Sequence, residues 1–120
     1  MIRYTTPTHT LVVEGQDITA HNVYVTYKQL SPDDVDTDYP DGIYHGGGAV
    51  HETVVTVQPI TKTKSGNDTI LTTYLTQEQT SKFKPGMVRV QVNWKTSGGI
   101  RHATDVVKIP SFDNLYEEEL

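Results

Sequence analysis

No cysteine occurs in the chain, so disulfides, thiolate metal sites and cysteine nucleophiles are excluded. No stretch approaches the roughly 18 apolar residues of a membrane-crossing helix. The opening residues, MIRYTTPTHT, lack the apolar run of a secretory leader, so export by signal peptide is not expected. Helix-filling residues are few: three alanines and six leucines stand against eighteen threonines and fourteen valines. β-Branched side chains suit a pleated surface and lose rotamer freedom in a helix, so the composition points to strands. A basic stripe interleaved with aromatics, the footprint of nucleic-acid binding, is also missing, and the net charge is −5.

What is present is a chain of 120 residues, the size of one domain. A chain of this length buries roughly 65 % of its extended surface, enough for a core without staples. Charge is unevenly placed. Residues 33–41 carry five aspartates, and residues 113–119 carry Asp113, Glu117, Glu118 and Glu119; neither stretch holds a lysine or arginine. The rest of the chain therefore has six acids against ten bases. A long acidic, glycine-rich loop is expected at 31–48 and an acidic C-terminal tail at 111–120, both belonging to one domain over residues 1–120.

Period-two alternation predicts strands over 10–15, 21–29, 50–58, 69–75, 87–95 and 101–110. In the second, Val23, Val25 and Tyr27 share one side and Tyr24, Thr26 and Lys28 the other. In the fifth, Val88, Val90, Val92 and Trp94 form the buried side. KSGND (64–68) and TSGG (96–99) read as turns, and Pro110 reads as the stop of the last strand. Residues 76–83 break the alternation. Thr76 followed by Gln79 is a capping box, which predicts one or two helical turns closed by Pro85-Gly86, with Leu75 and Phe83 pinned to the core. The expected fold is all-β: an immunoglobulin-like antiparallel β-sandwich of about seven strands with one short helical turn at 76–83.

The stretch DDVDTDYPDGIYHGGGAV (33–50) is the most suggestive chemically. Asp34, Asp36 and Asp38 have the 1-3-5 spacing of a calcium loop, but the sixth position is Tyr39 instead of glycine and the twelfth is His45 instead of glutamate. An irregular calcium cage from Asp36, Asp38 and Asp41 is one reading. A solvated connection with a turn at Pro40-Asp41-Gly42 is the preferred one. HGGG (45–48) resembles half of an esterase oxyanion hole, yet the G-x-S-x-G elbow that should accompany it is absent. His45 and His51 with an aspartate give a weaker zinc reading, for no H-E-x-x-H or H-x-H spacing occurs. Trp94 could stack a sugar, but its parity with the valines places it in the core, whereas Tyr24 on the opposite parity is an exposed contact. No acid–base constellation of an enzyme is recognisable, and no cofactor is expected.

The run YLTQEQTSKFKPGMVRVQVNWKTSGGIRHATDVVKI, residues 74–109, resembles small structural proteins of tailed phages and prophages of Gram-positive bacteria. It is similar in particular to the N-terminal immunoglobulin-like domain of baseplate upper proteins. Leu75, Thr76, Glu78, Gln79, Thr80 and Phe83 carry the first half of the likeness; Gly86, Val88, Val90, Gln91, Val92 and Trp94 carry the second. The resemblance implies a non-enzymatic virion component of tail, baseplate or head. Its partners would be other virion proteins or copies of itself in a homo-oligomer, with neither nucleic acid nor membrane. It would sit in the virion or the bacterial cytoplasm where virions assemble. Independently, the charge segregation suggests an acidic arm of one subunit meeting a basic face of another. Lys62, Lys64, Lys82, Lys84, Lys95 and Arg101 are the acceptors for such an arm, Phe112, Leu115 and Tyr116 are its apolar anchors, and the loop tyrosines Tyr39 and Tyr44 are further interface candidates. The alternative is a carbohydrate- or calcium-binding module that uses the 33–50 loop.

Overall fold

The computed structural model of the chain describes residues 1–30 and 52–115. Strands within these residues are β1 (Thr8–Val13), β2 (Val23–Gln29), β3 (Thr53–Val57), β4 (Thr61–Ser65) and β5 (Asp68–Tyr74). After the helix α1 (Gln77–Ser81) come β6 (Gly86–Lys95), β7 (Arg101–Ala103) and β8 (Val107–Ser111). One sheet has the order β1-β5-β4; the other runs β3-β2-β6, with β7 and β8 both along the far side of β6. Every pairing between these strands is antiparallel. In immunoglobulin lettering these are B-E-D and C′-C-F-G, so the expected sandwich is what forms. β7 and β8 are two halves of one return strand, which keeps the count near seven.

The alternation read from the sequence is the alternation of burial. β2 turns Val23, Val25, Tyr27 and Gln29 inward; β6 turns in Val88, Val90, Val92 and Trp94; β5 turns in Thr69, Leu71 and Thr73. Each buried apolar side chain contributes roughly 1.5–3 kcal/mol. α1 forms where the capping box predicts it. Gln79 donates its backbone N–H to Thr76 Oγ1 at 3.2 Å, and Gln79 Oε1 accepts from the Thr76 N–H at 2.9 Å. Leu75 and Phe83 on either side of it are fully buried.

Three local features differ from the sequence reading. β4, TKTKS, was not expected, because it has no apolar alternation. It is a strand because β5 offers it a hydrogen-bonding edge, and Gly66 at φ 62 allows the two-residue turn between them. Pro110 does not stop β8. Its carbonyl points away from β6 and accepts from the Met1 amine at 2.7 Å, so the missing proline N–H lies on the side where the β6 ladder loses nothing. The return strand is also broken by a bulge. Asn93 pairs with Ala103 but Val90 pairs with Val107, so one extra residue sits on the return strand. Thr104 fills the break: its N–H donates to Val92 O at 2.9 Å, and its hydroxyl accepts from Val92 N at 3.1 Å.

One polar bridge joins the two sheets in the core. Tyr27 of β2 sends its hydroxyl to Thr73 Oγ1 at 2.7 Å and to His9 Nδ1 at 2.8 Å. His9 and Thr73 are register partners on β1 and β5. Burial raises the Tyr27 phenol above its ordinary pKa, against a lowering by the Thr73 hydrogen bond. Burial holds His9 below its ordinary value, helped by the nearby N-terminal charge.

The start and end of the described chain are also tied. Ile2 bridges Phe112 in parallel. Arg3, buried, reaches Asp113 Oδ1 at 3.0 Å and Ser81 O at 3.1 Å, and Asn114 Nδ2 donates to Arg3 O at 3.1 Å. Residues 111–114, read from the sequence as part of a tail, are thus fixed to the body.

Tyr27→Phe should cost about 1–3 kcal/mol in urea unfolding, because it leaves Thr73 and His9 without their shared partner in a dry site. Stability should also depend on pH through His9. The unfolded chain takes up a proton near the ordinary histidine pKa of about 6.5, and the folded chain resists it. This contribution is therefore full above that pH and is lost progressively as pH falls below it. Thermal melts of His9→Gln should show a shallower slope over that window than the parent.

Candidate functional site

The outward residues of the five-stranded sheet collect positive charge. Lys28 of β2, Arg89 of β6 and Lys108 of β8 are successive register partners and form one row across the sheet. Lys95 of β6 and Arg101 of β7 are partners in a second row. Tyr24, Asn93 and Ala103 lie in a row next to it, and Thr56, Thr26 and Gln91 lie between. Glu52 meets this face at its β3 edge, 2.9 Å from the Lys28 ammonium.

Tyr24 and Lys95 form a ridge on this face. On one side is a shallow hollow of about 390 Å³ reaching Thr26, Thr56, Asn93 and Arg101. On the other is a hollow of about 370 Å³ reaching the Ala20–Asn22 turn and Thr96. Arg101 lies across the first hollow. Its Nε and Nη2 both donate to Asn93 Oδ1, at 3.2 and 3.1 Å, which orients the guanidinium. Tyr24 is 42 % exposed. Exposed tyrosine and oriented arginine are the side chains that most often anchor protein contacts. The arrangement can bind carboxylates beside an aromatic or apolar group.

The other residues singled out in the sequence fall elsewhere. Trp94 is in the core as its parity indicates, with the His102 ring stacked on it at 5.6 Å between centroids. Lys82 and Lys84 are exposed but lie beside α1, where the Gln29 side-chain amide clasps both backbone groups of Lys84 at 2.7 and 2.8 Å. Lys62 donates to His21 O at 2.6 Å, and Lys64 lies 3.8 Å from Asp17. Hydrogen bonds from Thr19 hold the Asp17 carboxyl below its usual pKa, with smaller help from Lys64 and His21 against a slight desolvation. Of the six expected acceptors, only Lys95 and Arg101 share the sheet face. Phe112 has an exposed side chain on a fixed backbone, and Leu115 is fully exposed. Asp36, Asp38, Asp41, Tyr39, Tyr44, Tyr116, His45 and His51 lie outside the described residues. Among the described residues, no group of three or more histidines and acids is placed to hold a metal ion.

Arg89 and Lys108 were not among the expected acceptors. Parity marks Arg89 as outward, but only the register aligns it with Lys28, and only the bulge brings Lys108 beside it on the other side. No protein-family model, curated protein or solved structure matches the chain.

Proposed function

We propose that this chain is a non-enzymatic structural protein of a phage or prophage particle, in its tail, baseplate or head, and that it works by docking on copies of itself or on other virion proteins. The observation that carries this reading is the cationic outer face of the five-stranded sheet, with Tyr24 and the Asn93-held Arg101 at one end of it. The chain's own acids are concentrated in residues 33–41 and 117–119, which supply the complementary charge from a neighbouring subunit, while Asp113 is held by Arg3 of its own chain. The resemblance over residues 74–109 supports the particle setting; its matching residues build α1, β6 and the core beneath this face.

Charge attraction of this kind sets encounter rate and orientation, and salt screens it. Light scattering after size exclusion should show a larger assembled mass at low ionic strength than at about 0.5 M salt, where the Debye length is only a few ångströms. The Lys95→Glu/Arg101→Glu double variant should keep its melting temperature within a few degrees and lose that assembly. Replacing Asp34, Asp36 and Asp38 by asparagine should do the same. A single unchanged mass across salt and across these variants would falsify the self-docking form of the proposal.

A further inference from the structure

Among the described residues, the sandwich is open along one side. β1 is an outer strand of its sheet, β7 and β8 are outermost in the other, and a groove of about 650 Å³ runs between them. Leu11 and Val13 form one wall, Val90, Val92 and Trp94 the floor, and Val107 part of the other wall. In an immunoglobulin-like sandwich the first strand occupies this place. Among the described residues Met1–Arg3 do so, at one end. Met1 donates to Pro110 O, Phe112 N to Met1 O at 2.8 Å, and Arg3 N to Phe112 O at 3.0 Å. This segment runs parallel to the end of β8.

The β1 edge is ready for pairing. Leu75 N donates to Pro7 O, and the register then turns the main chain of His9, Leu11 and Val13 toward β5. The N–H and C=O groups of Thr8, Thr10 and Val12 face the open side, with no hydrogen-bond partner among the described residues. The sheet's other edge carries Lys62 and Lys64, charges that discourage strand addition. β1 carries no lysine, acid or proline.

We infer that the groove accepts an extended segment of a different protein, which adds antiparallel to β1 as a fourth strand of that sheet. Main-chain groups of Thr8, Thr10 and Val12 bind its backbone. Its alternate apolar side chains pack on Leu11 and the exposed Val107, above the already buried Val90, Val92 and Trp94. Glu14 and Asp105 both line the groove, so the segment carries lysine or arginine and no acid there. That charge rule excludes this chain's own acidic stretches, 33–41 and 113–119, as occupants. The inference does not depend on the cationic face, which is formed by the outward residues of the five-stranded sheet, whereas the groove floor is formed by the inward residues of β6.

Trp94 is the only tryptophan and lies in the groove floor, so its emission reports occupancy. The probe is a synthetic capped peptide with lysine at both ends and alternating valine and threonine between. Two controls replace its threonines by proline or its lysines by glutamate. The lysine peptide should shift Trp94 emission saturably and slow hydrogen exchange at the Thr10 and Val12 amides by about tenfold or more. Both controls should bind at least about tenfold more weakly. Val12→Pro removes an outward N–H, spares the β5 ladder, and should lose the peptide while Val12→Thr keeps it. The Lys95→Glu/Arg101→Glu variant should bind it like the parent. Unchanged emission and exchange at millimolar lysine peptide, equal binding of the proline peptide, or loss of binding in the Lys95/Arg101 variant would each overturn the inference. The exchange measurement on the parent protein decides the matter even if Val12→Pro fails to fold.

Discussion

Tyr27 carries a phenol into the middle of the sandwich, where water is excluded and every polar group needs a partner. Its ring packs among the valines of its own sheet, and its hydroxyl is held by Thr73 and His9 of the other. Apolar packing between two sheets is tolerant of small slides, because valine against valine fits in several ways. A buried hydroxyl with two named partners is not tolerant. The bridge therefore fixes how the sheets sit on one another, and with it the position of the open groove between β1 and β7–β8. The same logic recurs at smaller scale. Thr69 is fully buried and satisfied through Gln16 O and Ile18 N, and Thr80 reaches Thr5 O. A threonine-rich core works here because short hydroxyls close loops onto strands.

The bulge at Thr104 links the scaffold to the candidate docking face. On β7, odd-numbered residues face outward, as Arg101 and Ala103 do. After the extra residue, even-numbered ones do, so Lys108 lies beside Arg89 and Ile109 packs toward the core. An unbroken strand would have turned Lys108 inward and Ile109 out, since a one-residue slip exchanges the two faces. One inserted residue thus decides both the burial of an isoleucine and the third member of a cationic row. Arg101, before the bulge, keeps its place by bonding Asn93, its neighbour one row away.

Much of this was readable from residue order. The valine alternation of 87–95 named the buried face of β6, and Trp94 with it. Thr76 and Gln79 named the helical turn, because a capping box is satisfied by residues three apart whatever surrounds them. Tyr24 was marked as exposed by parity alone. β4 was not readable, since TKTKS has no apolar period and becomes a strand only by pairing with β5. Pro110 misled for a related reason: proline forbids a ladder bond only on the side where its nitrogen points, and that side depends on which strand lies next to it. The ties among Arg3, Ser81, Asp113 and Asn114 span separations too large for any local pattern to show.

For the candidate site the division is sharper. The sequence supplied the charges and their signs, and it placed Tyr24, Arg89, Asn93 and Lys95 on the outward side of their strands. It could not show that Lys62, Lys64, Lys82 and Lys84 lie apart from Lys95 and Arg101, or that Lys28, Arg89 and Lys108 form one row. Local period decides which way a side chain points, because neighbouring peptide units impose it. Register, bulges and strand order decide which side chains become neighbours, because they are set by hydrogen bonds and packing between segments far apart in the chain.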